Sequence, residues 1–220
     1  YLRAFLQPMK PVEPTLPAGI YIIGGSPCSG KSSIAERLAA EYQLQVYKAD
    51  DYEDEHPKRT DPLRQPVMTR YKQMGWNEIW FVPTAQAVRD LFAYYRERFA
   101  LGLQDLAAFD PARPLLAEGF PFLPELIQPL GVDPGHAIFL VPTYSFQLQY
   151  YSQRPWVAGI LTQCERPQEA FANWMQRDYL SGREILGQAQ TLGYRCVEVD
   201  GSLSLEEMTA LVREHFGLGK

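Results

Sequence analysis

One eight-residue stretch carries the residue types and spacing typical of phosphate binding. Residues Gly25 to Ser32 read Gly-Ser-Pro-Cys-Ser-Gly-Lys-Ser, which fits the pattern G-x-x-x-x-G-K-[ST]. Glycines let backbone N–H groups curl around a phosphate, a helix N-terminus adds its positive dipole end, and a lysine adds a mobile charge. We expect Lys31 to reach the β- and γ-phosphates of a nucleotide and Ser32 to ligate Mg²⁺. The predicted phosphate-binding residues are Gly25, Ser26, Cys28, Ser29, Gly30, Lys31, Ser32 and Ser33.

A pair of aspartates downstream of this loop could supply general-base chemistry. The segment reads Lys48-Ala49-Asp50-Asp51-Tyr52 and follows an apolar run. A carboxylate placed there could accept a proton from a substrate hydroxyl or hold Mg²⁺ through water, and phosphoryl transfer uses both roles. The alternative is a solvated acidic turn, because three further acidic residues extend the run to Glu55.

Glu118 and a set of arginines complete the candidate residues. Glu118 ends the apolar run Leu115–Ala117, and burying a glutamate there is costly unless it meets a cation or a hydrogen-bond donor. Arginine can neutralise charge spread over phosphoryl oxygens because its guanidinium offers a fixed fork of donors. Arg177, Arg183 and Arg154 are the candidates, and an ordinary ion pair on an exposed helix face is the alternative for each.

Five short apolar runs predict the strands that position these residues. Several are apolar on both faces, which a parallel sheet covered by helices on each side requires. The pattern therefore predicts a doubly wound α/β fold. The runs are Ile20–Ile23, Gln45–Lys48, Leu115–Ala117, Ala137–Val141 and Arg195–Val199.

Helical spacing fills the segments between the predicted strands. Helices are predicted over 33–42, 84–100, 167–190 and 205–216, the last opened by a capping box of Ser204 and Glu207. Residues 56–112 contain no convincing strand, so we predict a helical insertion after the second strand. Its aromatic residues either form one wall of a substrate site or simply pack together. These are Trp76, Trp80, Phe81, Tyr94 and Tyr95.

Length and composition bound the class of protein. The 220 residues suit one domain over 18–220, after a proline-rich extended arm over 1–17. A net charge of −5 gives no footprint for long nucleic acid, and no apolar run approaches the roughly 18 residues of a membrane span. Three cysteines without a CxxC pair suit a reducing compartment, so we expect a cytoplasmic protein without disulfides or structural zinc. The sequence leaves the oligomeric state open.

Taken together, four motifs resemble those of the P-loop metabolite and nucleoside kinases. This group includes uridine kinase, nicotinamide riboside kinase and, more distantly, adenylate kinase. Asp50-Asp51-Tyr52 is similar to an acidic-aromatic motif whose first aspartate is the catalytic base. Residues 115–120 resemble a third strand that ends in Glu-Gly. Arg177-Asp178, followed by Arg183, resembles a lid motif that closes over the transferring phosphate, and residues 199–204 resemble a loop that lies against adenine.

The resemblance implies a three-layer P-loop nucleotide-kinase fold with a five-stranded parallel sheet. It implies ATP and Mg²⁺ as cofactors, with the metal at Ser32 and Asp50, and Arg183 at the nucleotide. The implied catalytic residues are Lys31, Asp50, Glu118 and Arg177, with a lid over about 152–186. The acceptor would be a small molecule, bound between residues 120–123 and the insertion.

Two other readings stay open, along with the identity of the acceptor. A nucleoside monophosphate kinase would need cations rather than a base, and the insertion offers four candidates: Arg64, Arg70, Lys72 and Arg89. A nucleotide-dependent switch or NTPase would have no small acceptor at all. His56-Pro57 resembles gluconate kinase and keeps a sugar acid among the acceptors, although a lone histidine in a loop is usually solvated.

Overall fold

A computed structural model describes residues 16–17 and 19–219, so nearly all of the predicted arm lies outside the described residues. Its core is one five-stranded sheet in the order β2-β3-β1-β4-β5, and every neighbouring pair is parallel. The predicted doubly wound α/β fold is therefore confirmed. The strands are β1 (Ile20–Gly25), β2 (Gln45–Lys48), β3 (Leu115–Glu118), β4 (Ala137–Pro142) and β5 (Arg195–Val199).

Both faces of the sheet are covered, which explains why its central strands are apolar throughout. All six residues of β4 are buried, and they alternate between two cores: Phe139 faces one and Leu140 the other. Helices α1 (Lys31–Tyr42) and α9 (Leu205–His215) cover one face. Helices α4 (Thr84–Leu106) and α8 (Pro167–Leu192) cover the opposite face.

The predicted insertion after β2 is helical. It contains the 3₁₀ turns Ala49–Tyr52 and His56–Arg59, then α2 (Pro66–Tyr71), α3 (Trp76–Trp80) and α4. Helix α4 is longer than predicted because Leu101, Leu103 and Leu106 are also buried and continue its apolar face. Its length matters for the site, since the extra turns reach back to the residues that follow β2.

Three short helices were not predicted: α5 (Pro124–Ile127), α6 (Tyr144–Tyr151) and α7 (Pro155–Leu161). They are too short to show a clear apolar period. Thr143 is the N-cap of helix α6, and its hydroxyl accepts a hydrogen bond from the Phe146 N–H at 3.3 Å. Helix α9 begins with the predicted Ser204–Glu207 capping box.

The predicted lid over about 152–186 coincides with α7 and most of α8. Asp178, Ser181 and Ile185 of α8 are buried against the rest of the domain, so this part of the segment is anchored. A mobile lid is therefore proposed only for α7 and its flanking turns. Within the described residues, no helix is long and apolar enough to cross a membrane.

Candidate active site

The phosphate loop leaves the sheet at Gly25 and enters α1 at Lys31. Gly25 has φ +119°, and a Cβ there would collide with the Leu140 carbonyl, so only glycine fits. The Ser29 hydroxyl and the Lys31 ammonium both donate to the Ser26 carbonyl, at 2.9 and 2.7 Å, which fixes the curl of the loop. The first N–H groups of α1 have no partner within the helix and are available to an anion.

Helix α8 supports the loop from behind. The hydroxyl of Ser26 is buried and has no hydrogen-bond partner in the described part of the chain. A Cβ added at Gly182 of α8 would lie 3.0 Å from that oxygen, so glycine permits the close approach. Ser26 therefore serves the loop through its main chain, not through its side chain.

Lys31 and Glu118 are two buried side chains of opposite charge that influence each other's pKa without forming an ion pair within the described residues. Burial lowers the pKa of Lys31, while Glu118 and then Asp50 oppose that shift. Glu118 ends β3 and is 1 % exposed, and burial raises its pKa against the attraction of Lys31. Neither carboxylate oxygen forms a hydrogen bond of standard geometry with the residues that the structure describes, although the nearby Ser32 hydroxyl acts to lower the pKa of Glu118. An unsatisfied buried carboxylate is costly, so it suits a site that receives a cation or a hydrated metal.

Asp50 lies on the 3₁₀ turn Ala49–Tyr52, directly after β2. Arg98 of α4 holds this turn and is 0 % exposed. Its Nη2 donates to the Ala49 carbonyl at 2.6 Å, its Nη1 pairs with Glu53, and its Nε donates to His56 Nδ1 at 3.1 Å. Arg98 thus ties the Ala49 main chain before Asp50 and the Glu53 side chain after it to α4. Sequence reasoning missed it, because the contact spans more than forty residues.

His56 is buried, contrary to the solvated position expected for a histidine in a loop. It is 1 % exposed, and its Nε2 lies 2.6 Å from Asp105 Oδ2. Because Nδ1 accepts from Arg98, the neutral ring carries its proton on Nε2 and donates it to Asp105. Burial lowers the pKa of His56, which favours this neutral form. The expectation failed because α4 brings Arg98 and Asp105 over the loop.

Three clefts meet at this site, and the phosphate cleft is the central one. It has a volume of about 290 Å³ and is lined by loop residues 27–33. Asp50 reaches it from one side and Arg154 from the other. The remaining lining residues are Tyr95, Phe120, Tyr151 and Trp156.

The second cleft, about 640 Å³, is the tryptophan cleft. All four tryptophans of the chain line it: Trp76, Trp80, Trp156 and Trp174. It joins the phosphate cleft through six shared residues, which are Pro27, Asp50, Tyr95, Tyr151, Arg154 and Trp156. Asp50 therefore stands where the two clefts meet, whereas Asp51 lines neither.

Residues 120–123 do not line the tryptophan cleft. The sequence predicted a pocket between residues 120–123 and the insertion, but Phe122 and Leu123 are buried. The wall opposite the insertion comes instead from α6, α7 and α8. Of the predicted insertion aromatics, Trp76, Trp80, Tyr94 and Tyr95 line the cleft and Phe81 does not.

The third cleft, about 410 Å³, is the Gly201 cleft on the other side of the loop. Val199, Gly201, Leu203 and Ser204 line it, facing aromatic rings of α6. Cys28 lies between this cleft and the phosphate cleft, and burial raises the pKa of its thiol to about 11. The predicted nucleotide-side loop thus borders a space that continues from the phosphate loop.

The three candidate arginines occupy different positions. Arg154 lines all three clefts and forms no ion pair with any described residue. Arg177 lines only the tryptophan cleft, where it pairs with Asp178 and lies 4.6 Å from the centre of the Trp80 ring. Arg183 lines none of them and pairs with Glu198. The structure therefore brings Arg154, but not Arg177 or Arg183, to the phosphate loop.

Residues suited to ATP and Mg²⁺ converge on the phosphate cleft. Ser32, in the first turn of α1, lines it, and so does Asp50; Glu118 lines none of the three clefts but is close enough to Lys31 to influence the pKa of the lysine. Over residues 16–17 and 19–219, no group of three or more histidine, cysteine and carboxylate side chains could hold a metal alone. A metal bound here would need further ligands, and the phosphates of the nucleotide would supply them, as they commonly do for Mg²⁺.

Comparison with solved structures supports the fold. Shikimate kinase from Bacteroides thetaiotaomicron superposes with a TM-score of 0.50 and 14 % identity, covering 90 % of this chain and 98 % of that chain. Shikimate kinase from Aquifex aeolicus gives 0.46 and 16 %, covering 91 % and 99 %, and a gluconokinase from Sinorhizobium meliloti gives 0.41 and 16 %, covering 92 % and 91 %. At such identities the likeness concerns the fold alone. No protein-family model and no curated protein matches the chain.

Proposed function

We propose that this protein is an ATP-dependent kinase that transfers the γ-phosphoryl group of ATP to a hydroxyl of a small molecule. One observation carries the proposal: Asp50 lies where the phosphate cleft and the larger tryptophan cleft join. A base at that junction faces both the phosphate that leaves ATP and the hydroxyl that receives it. The finer resemblance to uridine and nicotinamide riboside kinases stays a prediction.

The polar residues at and behind the phosphate cleft each have a proposed task in this reaction. Asp50 accepts the acceptor's hydroxyl proton as the new O–P bond forms, and the bond between the γ-phosphorus and the oxygen that stays with ADP breaks. Lys31 and Arg154 balance the charge on the phosphoryl oxygens during transfer. Ser32, Asp50 and Glu118 would hold Mg²⁺, directly or through water, and the ion would supply further charge neutralisation.

Arg154 replaces Arg177 as the proposed lid arginine. It lines all three clefts and has no competing carboxylate, whereas the guanidinium of Arg177 is held by Asp178. Arg154 also sits at the N-cap of α7, the short segment that could move. Closure of α7 would exclude water and so limit hydrolysis of ATP.

A hydroxyl acceptor is favoured over a nucleoside monophosphate. Of the four insertion cations, only Lys72 lines the tryptophan cleft. Arg70 pairs with Asp90, and Arg64 with Asp61. Arg154 and Arg177 also line this cleft, but Asp178 engages Arg177, and a phosphate acceptor would need several free convergent cations and no base. The remaining candidate, a switch or NTPase, would have no use for a large cleft beside Asp50.

A turnover assay that follows ADP and inorganic phosphate separately tests the proposal. Purified protein is incubated with ATP, Mg²⁺ and a panel of nucleosides, nucleoside monophosphates, vitamins and sugars. If the protein is a kinase, ADP should form without free phosphate, and only when one class of hydroxyl compound is present. Lys31→Ala should lower that rate by about 1,000-fold. Equal release of ADP and phosphate whatever the acceptor would instead support an NTPase.

A further inference from the structure

Half-exposed aromatic rings are concentrated on the tryptophan cleft. Trp80 and Trp174 are buried and stacked, with ring centres 4.4 Å apart and planes inclined by 18°. In front of them, Trp156 is 48 % exposed, and Tyr71, Trp76 and Tyr94 are half-buried. The buried pair thus forms a rigid floor, and the other rings are partly open to a ligand.

Of the three carboxylates that line this cleft in the described part of the chain, Asp178 and Glu53 already pair with arginines, and Asp50 is left for the acceptor. Asp178 is 1 % exposed and accepts four hydrogen bonds. Arg177 donates from Nε and Nη2 at 2.9 and 2.6 Å, the Tyr151 hydroxyl at 2.8 Å, and the Trp174 Nε1 at 3.1 Å. Glu53 pairs with Arg98. Asp178 therefore has little capacity left for the several hydroxyls of a sugar or sugar acid, whereas Glu53, whose side chain is 57 % exposed, keeps acceptor capacity.

Arg177 extends the aromatic wall instead of creating a strong anion site. Its guanidinium lies over the Trp80 ring at 4.6 Å, and Asp178 balances its charge. Lys72 at the rim is the other cation specific to this cleft, and its ammonium donates to the Pro57 carbonyl at 3.3 Å. Apart from Asp50 and Arg154 at the junction, the cleft therefore offers mainly ring faces and tyrosine hydroxyls.

We propose that the tryptophan cleft selects an acceptor with a planar unsaturated ring, whose hydroxyl-bearing substituent extends to Asp50. The proposal rests on the proposed function for the transfer step, but the ring selectivity is a property of the cleft itself. A cleft of about 640 Å³ is large enough for a ring with a substituent. Stacking on aromatic faces favours a flat ring over a puckered saturated ring of the same size.

Tryptophan fluorescence tests this directly, because every tryptophan of the chain lines the cleft. Asp50→Asn protein, which should bind without turnover, is titrated with two ring alcohols, uridine and pyridoxine. The matched compounds are 5,6-dihydrouridine, which keeps the polar groups but loses the flat ring, and gluconate, a polyhydroxy acid. We expect at least one ring alcohol to bind about 10-fold more tightly than the matched compounds. Equal or tighter binding of the matched compounds, or no binding of either ring alcohol, overturns the proposal.

A pair of variants at Trp76 separates ring stacking from simple filling of space. Trp76→Leu should weaken binding of the ring alcohol by about 10-fold, whereas Trp76→Phe should retain most of it. Leu63→Ala is the control, because Leu63 is exposed and lines none of the clefts. Equal affinities for the Leu and Phe variants would contradict the proposal. The affinity for ATP should stay unchanged in all three variants.

Failure of this proposal and failure of the kinase proposal give different results. If ring alcohols bind selectively but none is phosphorylated by the wild-type protein, the ring selectivity stands and the kinase proposal loses its support. If a polyhydroxy compound is phosphorylated and ring alcohols do not bind, the kinase proposal stands and the ring selectivity is overturned.

Discussion

The phosphate cleft and the tryptophan cleft share a border but are built in opposite ways. The phosphate cleft takes most of its lining from one continuous loop, residues 27–33. The curl of this loop is held by hydrogen bonds to the main-chain carbonyl of Ser26. The tryptophan cleft is assembled from side chains of the insertion, α6, α7 and α8, far apart in sequence. A loop that binds by its backbone depends on a short pattern of glycines and one lysine. A cleft built from side chains depends on how several helices pack.

The difference suggests where each function lies. A main-chain cradle suits a group that every substrate complex contains, the phosphates of ATP. A side-chain cleft suits the variable partner, because single substitutions there change shape and polarity without disturbing the sheet. Of the six residues that line both clefts, Asp50 and Arg154 are the two with charged side chains, so they should be the positions most sensitive to substitution.

The largest expected effect is at Asp50. Asp50→Asn should lower kcat for acceptor phosphorylation by about 1,000-fold because the variant cannot take the hydroxyl proton. Binding of ATP should change little. Asp51→Asn is the matched control, since Asp51 lies on the same turn but lines neither cleft. Steady-state kinetics measure both, and equal losses in the two variants would contradict a specific role for Asp50.

The second largest effect on kcat is expected at Arg154. Arg154→Ala should lower kcat by about 100-fold through loss of charge on the transferring phosphoryl group. Arg183→Ala, which removes an arginine paired with Glu198 outside the three clefts, should change kcat less than about 2-fold. If Arg183→Ala had the larger effect, the original sequence-based assignment of Arg183 to the nucleotide would be favoured.

Arg98 tests whether the turn that carries Asp50 needs its buried support. Arg98→Met should lower the free energy of unfolding by about 3 kcal/mol, because Glu53, His56 and the Ala49 carbonyl lose their shared partner. Arg96→Met, two residues away on an exposed face of α4, should cost less than about 1 kcal/mol. Urea unfolding measures both values. Similar losses for the two variants would show that the buried contacts contribute little.

The smallest effect concerns the pH dependence of stability. Burial lowers the pKa of His56 below its ordinary value of 6.5. As the pH falls through 6.5, the unfolded chain takes up a proton that the folded protein does not, so stability present above that pH is lost below it. One such group contributes at most about 1.4 kcal/mol per pH unit. His56→Gln should lose less stability than the wild type between about pH 7.5 and 5.5, measured by urea unfolding. An unchanged slope would contradict a neutral buried His56.

Local sequence patterns predicted the structural features that depend only on residues close together in the chain. Residues 45–48 and 195–199 are strands with the predicted bounds, and the Ser204–Glu207 capping box is formed. Glu118 stood out as a carboxylate that ends an apolar strand, and it is buried at the end of β3, while its catalytic role stays a prediction. These predictions held because apolar periodicity, capping and burial of a strand end depend on neighbouring residues.

The predictions for His56, the lid arginine and the acceptor wall needed information from distant residues. His56 is buried by Arg98 and Asp105, which lie 42 and 49 positions away. Arg177 had the more suggestive sequence context, but Asp178 engages its guanidinium, while Arg154 is left at the junction of the clefts. Whether an arginine is free or paired depends on which carboxylate the fold brings near it.

The sequence by itself determined the phosphate loop, the parallel sheet and the acidic turn after β2. A short pattern is sufficient for each, because the loop is built from consecutive main-chain groups and the sheet from apolar runs. Only the tertiary structure decided which residues meet Asp50 and what lines the tryptophan cleft. The reason is that the helices of the insertion, α6, α7 and α8 contribute its side chains, and their relative placement follows from how these helices pack.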